Sequence, residues 1–126
     1  MSISVLKVIN DSMKSLGINY EFGIWNSKAV YPYFVGEYQE TPPLYEDGMQ
    51  ETSFILTGYT RGTWLELEET KDKIKNHFNK VGGKTVITDN GSAVAVFYEN
   101  SLVIPTGDAE LKKIQINLDI KEWSVN

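Results

Sequence analysis

The fold is decided by one stretch near the end of the chain, residues 114–121, which has the sequence IQINLDIK. A polar or charged residue follows each of its four apolar residues, Ile114, Ile116, Leu118 and Ile120. Successive side chains of a β-strand point to opposite faces of a sheet, so this alternation predicts a strand with one buried and one solvent-facing side. We expect the strand to extend over about residues 111–125.

Two segments have the helical spacing that could cover the buried side of this strand. Residues 3–16 carry one apolar stripe, formed by Val5, Leu6, Ile9, Met13 and Leu16. Ser2 or Ser4 can cap its start, and Gly17 occupies the position of a left-handed C-terminal cap. Residues 63–81 place glutamates before lysines, as the helix dipole favours, and carry a second apolar face. That face consists of Leu67, Ile74, Phe78 and Val81.

The remaining segments predict further strands at about residues 18–25, 30–38, 52–59, 84–88 and 92–99. Asn90-Gly91 is a strong hairpin signal between the last two. Pro32 cannot donate a ladder hydrogen bond, so it belongs at an edge, a strand start or a bulge. The predicted order is α-β-β-β-α-β-β-β in a single domain over residues 1–126. Its fold class is α+β, with a largely antiparallel sheet of about six strands and two helices packed on one face.

Two segments fit this scheme less simply. Residues 100–110 contain Pro105 and Gly107 and are predicted to be a long connection. Trp123 and Val125 fall on the polar side of the last strand. We therefore expect that strand either to bulge near Glu122 or to leave the sheet at its end.

Composition limits the chemistry that the chain can perform. The 126 residues include no cysteine and one histidine, His77. Zinc sites and activated nucleophiles depend on several suitable side chains, and a lone histidine in a lysine-rich helix is more often a surface residue than a catalytic base. The sequence therefore predicts no enzyme activity, no catalytic residues, no metal and no cofactor. A site built from a few carboxylates stays open as an alternative.

Acidic residues are concentrated in the middle of the chain, whose net charge is −5. Five acids and no lysine or arginine lie between Ala29 and Thr60: Glu37, Glu40, Glu46, Asp47 and Glu51. This surplus argues against a phosphate-binding surface. It indicates either a solvated acidic loop or a surface that repels DNA or contacts a basic partner. The nearby tyrosines, including Tyr45, are available for an interface where core packing does not use them.

The order of elements and several local patterns resemble the tail-terminator and tail-completion (head-tail joining) proteins of long-tailed bacteriophages. The resemblance covers nearly the whole chain. It rests on the short opening helix, residues 31–37 (YPYFVGE) in a strand, the acidic loop, residues 58–62 (GYTRG) at a strand end, the helix from Leu67-Glu68-Glu69 to Phe78, and the closing strand.

The resemblance implies a structural subunit of the virion tail or neck, assembled in the cytoplasm of a host bacterium. Such subunits form an oligomeric ring, commonly a hexamer, at the head-proximal end of the tail. The ring stops growth of the tail tube and presents a surface to the head connector proteins. DNA passes through it without being specifically bound, and an acidic channel suits that passage because it repels phosphates.

These expectations lead to two hypotheses about contact residues. In the first, the segment from Glu37 to Glu51, with Glu40, Tyr45, Glu46 and Asp47, protrudes from the sheet and contacts the tail tube or lines the channel. In the second, Trp123 forms a subunit contact because it breaks the alternation of the last strand.

Other functions stay open on the sequence alone. The nearest alternative is another neck or tail component, such as a head-completion or tube-type protein. A small acidic regulatory or binding protein is a further one. The longest apolar run, residues 93–98, is far shorter than the roughly 20 residues that span a bilayer, and the first residues lack the pattern of a signal peptide. We therefore expect no membrane partner and no signal-directed export.

Overall fold

The computed structural model describes residues 2–25, 28–40, 49–79, 83–88 and 91–123. These residues form two helices and six strands in the predicted order. The elements are α1 (Ile3–Ser15), β1 (Asn19–Phe22), β2 (Tyr33–Glu40), β3 (Met49–Thr60), α2 (Trp64–His77), β4 (Lys84–Ile87), β5 (Ala93–Ile104) and β6 (Lys112–Trp123). Neither helix is long and apolar enough to cross a membrane within the part of the chain that the structure describes.

The six strands form one sheet in the order β1-β2-β3-β6-β5-β4. All neighbouring pairs are antiparallel except β1 and β2, which run parallel. The predicted alternating strand β6 lies inside the sheet and pairs with β3 over its whole length, from Thr60 opposite Lys112 to Met49 opposite Trp123. The α+β class with a largely antiparallel sheet is confirmed.

Both helices pack on the same face of this sheet, which we call the inner face. Their apolar residues join a core cluster with the inner-face residues of β2, β3, β5 and β6. The largest fully buried side chains of this core are Phe34, Phe54, Phe78, Ile9, Met13, Leu56, Leu67, Ile74, Ile114, Ile116, Leu118 and Ile120. The predicted helix stripes are therefore the buried ones, except that Leu6 and Leu16 are only half-buried and Val81 lies outside the described residues.

The helix ends follow the capping chemistry of the sequence. The Ser2 side chain accepts a hydrogen bond of 3.2 Å from the backbone N–H of Val5. Gly17, just after α1, has a φ of +71°, the left-handed conformation that glycine adopts at lowest cost. Thr63 caps α2 by accepting a hydrogen bond of 3.1 Å from the backbone N–H of Glu66.

The region between residues 100 and 110 differs from the prediction, because β5 continues to Ile104. The strand contains a bulge between Tyr98 and Asn100, so that Glu99 is an extra residue without a partner on β6. A bulge changes which residues of a strand face the core. Tyr98 and Ser101 are thus paired with consecutive inner-face residues of β6, Leu118 and Ile116. Because the bulge interrupts the alternation of inward and outward residues along β5, the sequence did not predict one long strand here.

The end of β6 differs from the predicted bulge near Glu122. The strand continues without a bulge to Trp123, which stays paired with Met49 on one side and Ala93 on the other, and Val125 lies outside the described residues. Glu122 occupies an inner-face position and is only 6% exposed. Its carboxylate accepts a hydrogen bond from the Ser2 hydroxyl, so a charged residue is tolerated where the pattern requires an apolar one.

The strand β1 is shorter than predicted, and Ile24 lies outside it with 74% of its surface exposed. Pro32 directly precedes β2, which agrees with its predicted place at a strand start. The helix α2 ends at His77, earlier than predicted.

Candidate functional site

The face of the sheet opposite the helices, which we call the outer face, is the candidate functional surface. Both helices lie on the inner face, and no helix in the described part of the chain covers the outer one. Most outward side chains of β3 and β6 are half-buried, because they cover each other along the strands. A sheet of this size with one uncovered face has a broad surface available for contact with another molecule.

Three of the described residues of the predicted site, Glu40, Glu51 and Trp123, lie at one end of the sheet. The segment 41–48 joins β2 to β3, so Glu40 and Met49 are at the same end of the sheet. Trp123 is paired with Met49 there, and Glu51 faces outward two residues further along β3. We call this the hairpin end. Tyr45, Glu46 and Asp47 lie outside the described residues.

Glu37 lies on the same outer face but further from the hairpin end. It is exposed and stands opposite Ile55 in the middle of the β2–β3 pair. The structure therefore brings Glu40, Glu51 and Trp123 to one end, with Glu37 leading away from them along β2. Glu40 pairs with Thr52, a buried inner-face residue of β3. Glu40 itself is therefore in register with the inner-face positions.

Two carboxyl groups, those of Glu51 and Asp119, interact on the outer face. The pKa of Asp119 is raised to about 6, first by burial and second by the neighbouring negative charge of Glu51. Lys121, directly opposite Glu51, acts in the other direction. Glu99, the bulged residue of β5, adds a smaller repulsion. Asp119 therefore takes up a proton more readily than an exposed aspartate would.

At the other end of the outer face, four aromatic rings form a stack that we call the aromatic stack. The ring centroids of Trp25 and Tyr33 are 4.8 Å apart, and those of Tyr33 and Tyr59 are 5.1 Å apart. Tyr31 lies beside Tyr33 at 5.5 Å. Burial is the first cause of a raised pKa of Tyr33, followed by the neighbouring Tyr31 and Tyr59. The stack thus brings together rings from the loop before β2, from β2 itself and from β3.

Cationic side chains border the aromatic stack. The Lys113 ammonium lies 5.5 Å from the centroid of the Tyr59 ring, within the range of a cation–π interaction. The Arg61 guanidinium lies near Tyr31 and donates a hydrogen bond to Asp108, and interactions with these two partners raise its pKa. The distance between Arg61 Nη1 and Asp108 Oδ2 is 3.3 Å. The outer face therefore has Lys113 and the Arg61–Asp108 ion pair near the aromatic stack, and Glu51 and Asp119 with Lys121 toward the hairpin end.

Sequence reasoning missed this stack, although residues 31–37 (YPYFVGE) place two tyrosines and a phenylalanine close together in the sequence. The structure separates that sequence cluster by face: Phe34 is fully buried on the inner face, and Tyr33 faces outward. Tyr38 stacks on Phe22 instead, with centroids 6.0 Å apart. The available signal was the period of two in β2, which places Tyr33 and Phe34 on opposite faces.

The side chains that the structure describes do not form a metal site. Among residues 2–25, 28–40, 49–79, 83–88 and 91–123, no group of three histidine or carboxylate side chains could hold a metal ion. His77 is half-buried rather than on the surface, packs edge-on against Phe78, and has a pKa lowered by burial and by Lys84. Comparison of the sequence with models of protein families and with characterised proteins finds no match.

Proposed function

We propose that the protein is a structural subunit of a long-tailed bacteriophage tail that forms a ring at the head-proximal end. The ring stops growth of the tail tube and joins the tail to the head connector, and the subunit is not an enzyme. The observation that carries this proposal is the outer face of the sheet, which no described helix covers and which has an aromatic stack at one end and the carboxyl groups of Glu51 and Asp119 toward the other. A ring subunit needs such surfaces for its neighbours and for the structures above and below it.

Charge supports the placement beside a DNA channel. The outward carboxylates Glu51 and Asp119 lie toward the hairpin end, Glu37 lies further away along β2, and the sequence of segment 41–48 includes Glu46 and Asp47. A channel wall with this charge would repel phosphates and let DNA slide. In this arrangement the segment 41–48 contacts the tube or lines the channel.

The deciding experiment is negative-stain microscopy of lysates from a phage in which this gene carries an early stop codon. The proposal predicts full heads beside unjoined tails, with tails of uncontrolled length. Supplying the wild-type protein from a plasmid should restore complete particles. Normal infectious particles without the protein would contradict a role in the neck or tail.

The stop-codon phage also distinguishes the proposed function from the nearest alternative functions. A tube-type protein would polymerise without limit when purified, and its loss would remove tails altogether, whereas a terminator stops at a ring. A head-completion protein would leave complete tails of normal length. A small acidic regulator would leave particle assembly intact and would bind a basic host protein with strong salt dependence.

A further inference from the structure

The edge strand β4 covers only part of its neighbour β5. It pairs with residues 93–96, whereas β5 continues to Ile104. On the side of β5 that points away from β6, no strand in the described part of the chain pairs with residues 100–104. These five residues have the sequence NSLVI, and we call them the free edge. A free strand edge presents unpaired backbone N–H and C=O groups, which makes it a template for pairing with another chain.

The backbone groups of Ser101 and Val103 point away from β6. The N–H of Tyr98 also points away from β6, because it donates a hydrogen bond of 2.6 Å to the carbonyl of Phe78. Residues of an antiparallel strand alternate between its two sides, and the bulge at Glu99 adds one residue to this alternation. The next residues whose N–H and C=O groups point outward are therefore Ser101 and Val103.

The free edge is held extended before any partner binds. The Asn117 side chain donates a hydrogen bond of 2.6 Å to the Asn100 side chain, and the Tyr98 hydroxyl donates one of 2.9 Å to the Ser101 hydroxyl. On its other side the strand stays paired with β6 as far as Ile104. A strand that is already ordered loses little conformational entropy when a second strand pairs with it.

The free edge lacks the features that protect most strand edges. Leu102 is 47% exposed and Val103 is 53% exposed, and no charged residue occurs in the sequence 100–104. Natural edge strands are usually protected by charged side chains, prolines or bulges. Here the bulge at Glu99 and Pro105 lie on either side of the free edge rather than within it. Its apolar side chains and backbone groups are therefore available to a partner strand.

We propose that the free edge pairs antiparallel with the free edge of a second copy of the chain, which gives a symmetric dimer with one continuous sheet. Ser101 of each copy pairs with Val103 of the other, and each such pair exchanges both of its backbone hydrogen bonds. Leu102 then lies opposite Leu102 of the second copy, with about 4.5 Å between the Cα atoms. The two-fold axis is perpendicular to the sheet, so the helices of both copies lie on the same face.

Charge favours this pairing over pairing with another edge of the sheet. With Leu102 opposite itself, each Glu99 lies opposite Pro105 of the second copy, so the two Glu99 residues are about 20 Å apart along the strands. The edge strands β1 and β4 have four residues each, and they carry Glu21 and Lys84. Pairing either of them with the free edge would place a charge beside its apolar side chains. Two free edges bring no charged residues together.

This dimer goes beyond the proposed function. Neighbouring subunits of a cyclic ring make head-to-tail contacts, whereas the contact between free edges relates two copies by a two-fold axis. The dimer is therefore a state of the free protein, in which the free edge is covered before the subunit joins a ring.

Sedimentation equilibrium and amide hydrogen exchange of the full chain test the dimer. We expect a monomer–dimer equilibrium with a dissociation constant below about 100 μM. Exchange of the Ser101 and Val103 amides should slow as the protein concentration rises, because pairing removes them from solvent. The Leu102 amide points toward β6 and is the internal control, whose exchange should change much less. A chain that is still mostly monomeric at about 100 μM would overturn the proposal.

Substitutions of Leu102 test the register, because this residue lies opposite itself across the two-fold axis. Leu102→Lys and Leu102→Glu should each weaken the dimer by about tenfold or more, since like charges then lie opposite each other. An equimolar mixture of the two variants should recover the dimer as a heterodimer. Ile24→Lys is the matched control. It adds the same charge at a residue that is 74% exposed just beyond β1, near the opposite edge of the sheet, and should leave the dimer unchanged.

The contrary results are distinct. A dimer that Leu102→Lys does not weaken, or a mixture of folded Leu102 variants that stays monomeric, would overturn the contact; circular dichroism checks that the variants are folded. Weakening by Ile24→Lys would indicate head-to-tail pairing of β5 with β1 instead. Dimerisation is measured on the purified chain and tail assembly on the stop-codon phage, so either proposal can fail while the other stands.

Discussion

The Ser2 hydroxyl donates a hydrogen bond to the carboxylate of Glu122, joining residues that are 120 positions apart in the chain. Ser2 is also the N-cap of α1 and accepts a hydrogen bond from the Val5 backbone. No acidic residue occurs in the first turn of α1, so the Glu122 side chain brings a negative charge close to the positive end of the helix dipole. One side chain thus fastens the start of α1 to the end of β6.

Ser2→Ala should destabilise the protein more than the loss of a helix cap alone. A lost cap costs about 1 kcal/mol, and a buried carboxylate without its partner adds about 1–3 kcal/mol. Thr63→Ala is the matched control, because Thr63 caps α2 without a second partner of this kind. Urea unfolding of the two variants measures the difference. Equal losses would show that the Ser2–Glu122 hydrogen bond contributes nothing beyond the cap.

Gly58→Ala tests the close packing between β2 and β3. Gly58 stands opposite Phe34, and a Cβ atom at this position would collide with the Phe34 ring. Overpacking of a rigid core typically costs about 1–3 kcal/mol. Thr57→Ala, on the neighbouring outward position, should cost less than Gly58→Ala. The free energies of unfolding in urea of the two variants measure this difference. Combining Gly58→Ala with Phe34→Leu should recover part of the stability that Gly58→Ala loses.

Local patterns were sufficient to predict the element types and the layer arrangement. Each of these signals affects only residues close to it in the sequence. They are the alternation of residues 114–121, the helix caps Ser2 and Thr63, and the glycine after α1. Such features are encoded in short stretches of sequence. The parallel pairing of β1 with β2 was not predictable in this way, since it depends on the path of the connection between them.

Features that depend on distant partners were missed for a physical reason. The inward position of Glu122 is tolerated because Ser2 lies next to it in space, and nothing near residue 122 in the sequence indicates this. The aromatic stack combines Trp25 with Tyr33 and Tyr59, which meet only after β2 and β3 pair. The bulge at Glu99 interrupts the alternation of β5, so the second half of that strand was not predicted. Of the predicted contact residues, Tyr45, Glu46 and Asp47 lie outside the described residues, and no observation tests their role.

Asp119→Asn should stabilise the protein at neutral pH and lose this effect in acid. The pKa of Asp119 rises from its ordinary value of 3.8 to about 6 in the folded protein, through burial and the charge of Glu51. The folded state therefore binds the proton more tightly than the unfolded state, and this site makes stability fall as pH rises from about 4 to about 6. Asparagine removes that dependence.

The measurement is the difference in melting temperature between wild type and Asp119→Asn at pH 7.5 and at pH 4. We expect a gain at pH 7.5 equivalent to at most about 1 kcal/mol, because the group is partly solvated and screened. The gain should disappear at pH 4. Glu110→Gln, which changes an exposed carboxylate in the β5–β6 connection, is the control. An equal gain at both pH values would exclude titration of Asp119 as its cause.

Deletion of Pro42–Asp47 should abolish tail assembly while the fold is retained. The deletion keeps Glu40 and Met49, the ends of β2 and β3, so their ladder from Tyr33–Tyr59 to Glu40–Thr52 can still form. Circular dichroism and urea unfolding check the fold, and complementation of the stop-codon phage checks assembly. Tails that assemble normally with the shortened protein would remove this segment from the contact surface.

Trp123→Ala should impair ring formation or tail joining more than it impairs stability. Trp123 is half-buried at the hairpin end of the outer face, between Met49 and Ala93, and it lies beside the segment that we propose to make contacts. A large aromatic side chain at such a position is typical of residues that dominate binding energy, so complementation of the stop-codon phage should fall by about tenfold or more. Trp64→Ala, at an exposed tryptophan on the opposite side of the sheet, should complement fully. Wild-type complementation by Trp123→Ala would place the subunit contact elsewhere.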